Sequence, residues 1–452
     1  MFCALKVTKS LPPSLSLGDN SSNDPGSIRI VKFKYRRFNM NKKISAAVAS
    51  AALLIGASSA NAGIIIPAGE WTLDVNGNVN VYATYQDHEN EGAITGDLMN
   101  AYGTGAASND SKNQSINTGL LPAWLGFTGT TRQNDLDVSF TISMQPNVSD
   151  NGATGDSKQP LWRQAFLTFG DASWGTVKMG KDIGIFASDA ILNDMTLLGV
   201  GGGFNNSGVS TTTGGIGTGY IYAAWKGQIA YTTPNMNGFQ ATIGITNPNQ
   251  VDIDLTGSAR RQDRFGLEAK AHYAFPAGKV WVSGASYEID GDGAAAGIDR
   301  GGVQGDAAVA GVDYDVTMVD VGTALTFGNA GLTAYYYTGE GGGNGVLGFN
   351  GASATGAERD SDGGYIQGTY TIPTGTKLGL AYGITSLDHA DATDAAAAPA
   401  LIEDQRRWTV GAYHPLTKHL NLVAEYNAIE ATSHSGLENE ADGFTVGAIL
   451  FF

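Results

Sequence analysis

The residues of this chain best suited to proton transfer or metal binding are its six histidines, and they are scattered: His88, His272, His389, His414, His419 and His434. None sits in a nucleophile-elbow or zinc-binding pattern, and no Gly-x-Ser-x-Gly occurs. The glycine runs Gly201–Gly203 and Gly341–Gly343 are not phosphate loops, because no Gly-Lys-Ser/Thr follows. The acidic clusters Asp290-Gly-Asp-Gly293 and Glu358-Arg-Asp-Ser-Asp362 lack the spacing of a calcium loop and read as solvated surface. Catalysis therefore has no residues to run on, and no metal or cofactor is expected. A second set of candidates is different in kind. Arg163, Lys178, Lys181, Lys226, Lys270, Lys377 and Arg407 are bases set within or beside segments of alternating apolar and polar residues. What such a base does depends on the element that carries it.

Those elements are strands. Trp71, Leu73, Val75, Val79, Val81, Ala83 and Tyr85 fall on one face, with Thr72, Asp74, Asn76, Asn78, Asn80 and Thr84 on the other. Period two over about fifteen residues exceeds the five or six of an ordinary soluble strand. It suits a tilted membrane strand, which needs about 9–11 residues within the bilayer. The pattern recurs from Leu136 to Gln145, Phe239 to Ile245, Phe265 to Phe275, Lys377 to Thr385 and Leu420 to Asn427. It closes the chain, where Phe444, Val446, Ala448, Leu450 and Phe452 share a face. A soluble protein that left so apolar a strand at a sheet edge would invite aggregation. In a closed membrane barrel the same strand is paired on both sides and meets lipid.

The connections alternate between short and long. Short turns are expected at Arg132–Asp135, Gly170–Gly175, Pro234–Gly238, Pro276–Gly278, Gly328–Gly331, Pro373–Gly375 and Pro415–His419, all rich in turn formers. Long polar loops fall near 87–117, 146–161, 182–219, 247–263, 288–312, 339–363, 388–405 and 430–441. Seven turns and eight loops make an all-β, antiparallel transmembrane barrel of about 16 strands, with short periplasmic turns and long extracellular loops. That count takes 312–327 as one strand, although its apolar parity slips between Tyr314 and Val319. No run of 18 apolar residues follows residue 62, so helical spans are excluded. A soluble β-sandwich would not explain the regular alternation of short and long connections.

The barrel is expected to occupy residues 63–452. Met40-Asn-Lys-Lys43, an apolar core to Ser59 and the Ala60-Asn-Ala62 site predict a signal peptide over 40–62, cleaved after Ala62. Residues 1–39 then read as an over-extended reading frame. Of the 27 basic and 43 acidic residues, nine and two lie in 1–62, so the remainder carries 18 and 41, a net charge of −23. That excludes nucleic acid as a partner. The single cysteine, Cys3, lies in the discarded part, so disulfides and thiolate metal sites are absent from the mature chain.

Several stretches resemble the Gram-negative general porins: Trp124-Leu-Gly-Phe-Thr-Gly129, Arg163-Gln-Ala-Phe-Leu-Thr-Phe-Gly170, Gly175-Thr-Val-Lys-Met-Gly-Lys181, Tyr231-Thr-Thr-Pro-Asn-Met-Asn-Gly-Phe239 and the terminal Phe452. The resemblance covers essentially the whole mature chain. It implies a homotrimer of 16-stranded barrels in the outer membrane with lipid and lipopolysaccharide around it. It also implies water-filled pores for passive diffusion of small hydrophilic solutes and ions, and a terminal aromatic recognised by the barrel-assembly machinery. A third long loop, here Asp182 to Gly219, would fold inward and narrow the pore. The sequence departs from the commonest pattern in having no basic residue at Thr128 and a Gly/Thr-rich loop end, Gly199–Gly219.

On that frame the charges acquire roles. Asp182, Asp189 and Asp194 are the acidic candidates on the inward loop, and Ala190–Asn193 between the last two has the pattern of a short helix. The seven bases are the facing wall cluster, with Arg163 and Lys178 foremost and Arg407 near the outer rim. A lipid-facing Lys or Arg at the midplane costs roughly 2–4 kcal/mol, which argues for pointing them inward. Facing acids and bases would create a transverse field. Net charge favours a modest cation preference. The rival readings are a substrate-selective channel, with Tyr335-Tyr-Tyr337 and Tyr220-Ile-Tyr222 as aromatic tracks, and a barrel hydrolase, which lacks a motif.

Overall fold

Alternating side chains need a pleated wall with one face in lipid and the other in water, and that is what the chain builds. The structure, a computed structural model, describes residues 63–98, 111–146, 161–203, 211–247, 260–261, 264–291 and 312–452. The expected extension 1–39 and signal peptide 40–62, with Ala60 and Ala62, lie outside the described residues.

The strands run β1 (Ile64–Ala68), β2 (Trp71–Asn90), β3 (Ser111–Asn117), β4 (Trp124–Gln133), β5 (Leu136–Gln145), β6 (Leu161–Asp171), β7 (Gly175–Ile183), β8 (Trp225–Thr232) and β9 (Phe239–Thr246). They continue with β10 (Arg260–Arg261), β11 (Gly266–Phe275), β12 (Gly278–Gly291), β13 (Tyr314–Phe327), β14 (Ala330–Glu340), β15 (Asp360–Thr371) and β16 (Lys377–Leu387). The last are β17 (Ile402–Pro415), β18 (Leu420–Ser433) and β19 (Glu438–Phe451). Neighbours in sequence pair antiparallel, and β19 pairs with β2 from Asn439↔Asn90 to Phe451↔Asn78, closing the barrel. Two wall strands are each made of two pieces. β3 and β4 pair in turn with the upper and lower parts of β2, and β10 extends β11 along β12. Sixteen strands therefore form the wall. No helix among the described residues is long and apolar enough to cross a membrane.

The alternation sorts as the sequence predicts. Val79, Val81, Ile243, Leu380, Phe444 and Val446 are exposed on the outer face, while Asn78, Asn80, Thr445 and Asn427 are buried within. All seven short turns appear. The turn from β4 to β5 places Asn134 and Asp135 at φ 48° and 61°, the left-handed pair that a tight hairpin matching strand twist demands. The apparent parity slip in 312–327 is not a bulge. β13 pairs with β12 in continuous register, and Val316 and Met318 are simply apolar residues turned inward, where they join a buried cluster.

The seam explains the terminal aromatic. The Phe452 amide donates to the Gly77 carbonyl at 3.0 Å, and the Gly77 amide donates to the Phe452 carbonyl at 2.8 Å. A Cβ at position 77 would lie 2.2 Å from the Trp124 carbonyl oxygen and 2.7 Å from the Phe452 ring, so only glycine lets the three meet. Below Phe452 the remaining edge of β2 is covered by β1, paired Ile64↔Val75 to Ala68↔Trp71. Deleting Phe452 is expected to lower the yield of assembled, heat-modifiable barrel while the surviving channels keep their conductance, as gel mobility and bilayer recordings would register.

Candidate functional site

The site is the inward third loop and the wall that holds it. After β7 the chain leaves the wall at Gly184. It forms helix α1 (Ser188–Asn193) and a 3-10 turn over Met195–Leu198, and returns to the wall at β8. Asp182, expected on this loop, is instead a strand residue of β7. It points inward, fully buried, accepts from Gln164 Nε2 at 3.0 Å and pairs with Lys178 four residues back on the same face.

Wall side chains hold the loop by its backbone. At its start the Glu268 carboxylate on β11 accepts the amides of Ile185 at 2.5 Å and Phe186 at 2.9 Å. The other oxygen of Glu268 takes Lys226 Nζ at 2.5 Å. In the middle, Tyr365 donates to the Ala190 carbonyl at 2.8 Å, Gln367 joins the Met195 amide and the Asn193 carbonyl, and Tyr82 donates to the Leu198 carbonyl at 2.6 Å. Further on, Glu425 on β18 accepts the amides of Val200 and Gly201, both at 2.9 Å. β11 and β18 are separated by seven steps around a sixteen-stranded wall, so the loop crosses the lumen close to a diameter. Unpaired amides inside a wall would each be costly, and these two carboxylates remove that cost at both ends.

Packing decides which side the loop takes. Phe186, Ala187, Ala190, Ile191, Ile216, Tyr220 and Ile221 pack with Trp281, Tyr287, Val316, Met318, Tyr335, Tyr337 and Tyr365 from β12 to β15. The opposite wall carries small hydroxyls, with Thr128 to Thr141 at 3.1 Å and Ser139 to Thr168 at 2.5 Å. Hydrogen bonds tie the loops to one another. Thr95 bonds Ala400 and Ile402, Tyr222 donates to Gly345, and Asn344 reaches the Gly96 carbonyl. Arg359 grips Asp394 with two bonds of 2.8 Å, which hold that carboxyl below the usual range.

The ion pairs test each candidate residue. Asp189 on α1 receives Lys279 at 2.7 Å and Lys270 at 3.2 Å. Asp194 caps the 3-10 turn through the Thr196 amide, accepts the Tyr220 hydroxyl at 2.9 Å and lies 3.5 Å from Arg407. Lys178 pairs with Asp182, and Lys226 with Glu268. Lys377 points inward beneath the loop, over the Tyr413 ring at 5.1 Å. Two further expectations need correction. Lys181 is exposed and shares the parity of Met179 on the outer face, since alternate positions 178, 180 and 182 take the inside. Arg163 is part-buried at a register shift between β5 and β6, where its amide donates to Gln145 Oε1 at 3.0 Å. Arg407 is buried against the loop, not at the rim.

Sequence reasoning missed Glu268, Lys279, Glu425 and Asp320 as site residues. Asp320 on β13 accepts the Ser283 amide at 2.8 Å and the Tyr335 hydroxyl at 3.1 Å. Their only available signal was a charge at an inward strand position. Tyr335 and Tyr337 turn inward under the loop while Tyr336 faces out, so they are fasteners rather than an open aromatic track.

A closed antiparallel barrel with a wall-anchored loop across a polar lumen defines an outer-membrane channel, a transport protein. Such a channel passes solutes passively across the outer membrane. The chain belongs to the Gram-negative porin family, whose model matches residues 46–434. No curated protein matches the sequence. Among solved structures, the outer membrane channel DcaP of Acinetobacter baumannii is similar at 17% identity and TM-score 0.60, covering 87% of this chain and 99% of that one. OmpT of Vibrio cholerae aligns at 17% identity and TM-score 0.54 over 86% and 100%. OmpF of Salmonella typhi aligns at 16% and 0.53 over 85% and 100%. At such identities the likeness speaks for the fold.

Proposed function

We propose that this porin is a general diffusion channel for small hydrophilic solutes and ions with a modest cation preference. The observation that carries the reading is the third loop, held between Glu268 and Glu425 so that it narrows the lumen without filling the hydroxyl-lined wall opposite. Within the lumen, acids and bases meet in direct pairs. Contact pairing cancels most of their field at a distance and leaves one net positive charge where Lys270 and Lys279 share Asp189. The excess negative charge, −23 after residue 62, sits mostly in the long loops. It enriches cations at the mouth, over a reach of about 8–10 Å at physiological salt. In a tenfold KCl gradient the reversal potential is expected to be cation-selective and to shrink as total salt rises. Clear anion selectivity would overturn this reading.

Assembly as a homotrimer in lipid and lipopolysaccharide is part of the proposal, as is recognition of Phe452 by the barrel-assembly machinery. It is supported by the solved trimer form of OmpT of Vibrio cholerae, 16% identical with TM-score 0.53, and by the continuous apolar outer face. A substrate-selective channel is disfavoured by the burial of Tyr335, Tyr337 and Tyr220 under the loop. Current that is ohmic and indifferent to added sugars or amino acids is expected.

A further inference from the structure

One strand of the wall is made from two distant parts of the chain. β19 runs down one edge of β2 as far as Phe452, whose amide and carbonyl both bond Gly77. β1 takes up the same edge below it, with Ile64 opposite Val75. One residue back along this register, Gly63 falls opposite Asn76, directly beneath the place that Phe452 holds. A residue before Gly63 would need the position opposite Gly77, and that position is filled. An uncut chain has to leave the wall there. The wall suits a chain that starts at Gly63, the residue that cleavage after Ala62 would leave first.

Beside Gly63 lies an acid with an uncommitted oxygen. Asp74 sits on β2 between Ile65 and Thr128, and its Oδ1 is buried with no hydrogen-bond partner. A Cβ on Gly63 would stand 1.8 Å from that oxygen, so the glycine backbone is pressed against the carboxylate. A Cβ lies about 2.5 Å from the nitrogen of its own residue, which puts the Gly63 nitrogen within about 4.3 Å of Oδ1. As an amide this nitrogen carries one hydrogen, fixed in the peptide plane, and it leaves Oδ1 unpaired. Hydrolysis of the Ala62–Gly63 bond changes that. The hydroxyl of one water goes to the Ala62 carbonyl and its hydrogen to the Gly63 nitrogen, and a further proton from solvent makes an ammonium. An ammonium turns freely about its bond to Cα and brings three donors and a full charge to a buried carboxylate oxygen. The terminal carboxylate of Phe452 already gives an oxygen to the Gly77 amide at 2.8 Å. We infer that signal-peptide removal creates an ion pair between the Gly63 α-ammonium and Asp74, which fastens the first residue of β1 at the seam. Processing itself then completes the barrel wall. This rests on the cleavage expected after Ala62.

The test uses the protein purified from outer membranes. Mass spectrometry should find Gly63 first in the chain. A different first residue would overturn the inference through its premise, whereas the other measurements bear on Asp74. Acetylation by a succinimidyl ester, scaled to the exposed Lys418 of the same sample, reads the amine directly. The Gly63 amine should react at least about tenfold faster in Asp74→Asn than in the parent, having lost a charge-assisted bond. Hydrogen exchange over Ile66–Ala68, the far end of β1, should change less than about threefold, because the ladder to β2 remains. An alanine inserted between Ala62 and Gly63 displaces the ammonium by one residue. It should lower the temperature at which the folded barrel converts on gels, and lower it much less in a chain already carrying Asp74→Asn. Equal acetylation in the parent and Asp74→Asn would assign the ammonium to the Phe452 carboxylate and overturn the inference. Additive losses in the doubly altered chain would do the same. Rapid exchange over Ile66–Ala68 in Asp74→Asn would also overturn it, by making Asp74 a brace for the whole strand.

Discussion

Replacing Glu268 by alanine is expected to free the start of the third loop, giving a larger and noisier open level in single-channel recordings together with a less stable barrel. The effect should be large because one carboxylate does three jobs. It accepts two loop amides, from Ile185 and Phe186, and it neutralises Lys226, which is 4% exposed. Breaking a buried pair by removing one partner costs about 3–5 kcal/mol, since the remaining charge is left uncompensated. A buried amide left without its acceptor costs about 1–3 kcal/mol more. Glu268→Gln separates the contributions: it keeps an acceptor for the amides and abandons Lys226. The double variant Glu268→Gln with Lys226→Gln should recover much of the stability lost in Glu268→Gln, the signature of coupled neighbours. Conductance follows the amides, so it should stay near the parent in Glu268→Gln and rise in Glu268→Ala. Parent-like conductance and thermal stability in Glu268→Ala would show that the loop is held elsewhere, with Glu425 the next residue to test.

Wall and loop were legible in the sequence to different degrees. A strand in lipid must alternate at every residue, so Trp71–Tyr85 or Phe444–Phe452 could be read directly, and the turn at Asn134-Asp135 announced itself by residue type. Val316 and Met318 misled because inward positions beneath an apolar loop need not be polar, and no local pattern reports what lies across a lumen. The break at 118–123 was invisible for the same reason. Its purpose is to reach Gly199 through the Leu120 amide and Asn80 through the Gly119 amide, both far away in sequence. That the third loop turns inward rested on resemblance, and which acids hold it is a matter of register. Glu268 and Glu425 sit on the polar faces of strands that were correctly read, yet nothing local distinguishes a lining carboxylate from a backbone clamp. Lys181 failed on a simpler point. A base one residue out of step faces the other way, and the cost of a lipid-facing charge falls away toward the rim, so it does not forbid that placement there.

The second large effect concerns ions. Asp189 stands between Lys270 and Lys279 at 3.2 and 2.7 Å, nearly buried on the loop helix where the lumen is narrowed. In the parent the three charges leave a single net positive charge, and Asp189→Asn raises it to two without changing the shape of the side chain. One added unit charge about 7 Å from a passing ion is worth about 0.6 kcal/mol even at the dielectric constant of water. That is a factor of about three against cations and about three in favour of anions. The cation-to-anion permeability ratio should therefore fall about tenfold, enough to turn a modestly cation-selective channel anion-selective. Reversal potentials in a KCl gradient measure it directly. Lys279→Gln should move the ratio the opposite way, while Asp189→Glu should leave it near the parent value. The interaction is electrostatic, so the shift in Asp189→Asn should diminish as ionic strength rises and the Debye length contracts toward about 3 Å at 1 M. A reversal potential in Asp189→Asn that matches the parent at low salt would place the ion path away from α1. It would then run along the hydroxyls of Thr128, Thr141, Ser139 and Thr168, with the mouth loops alone setting selectivity.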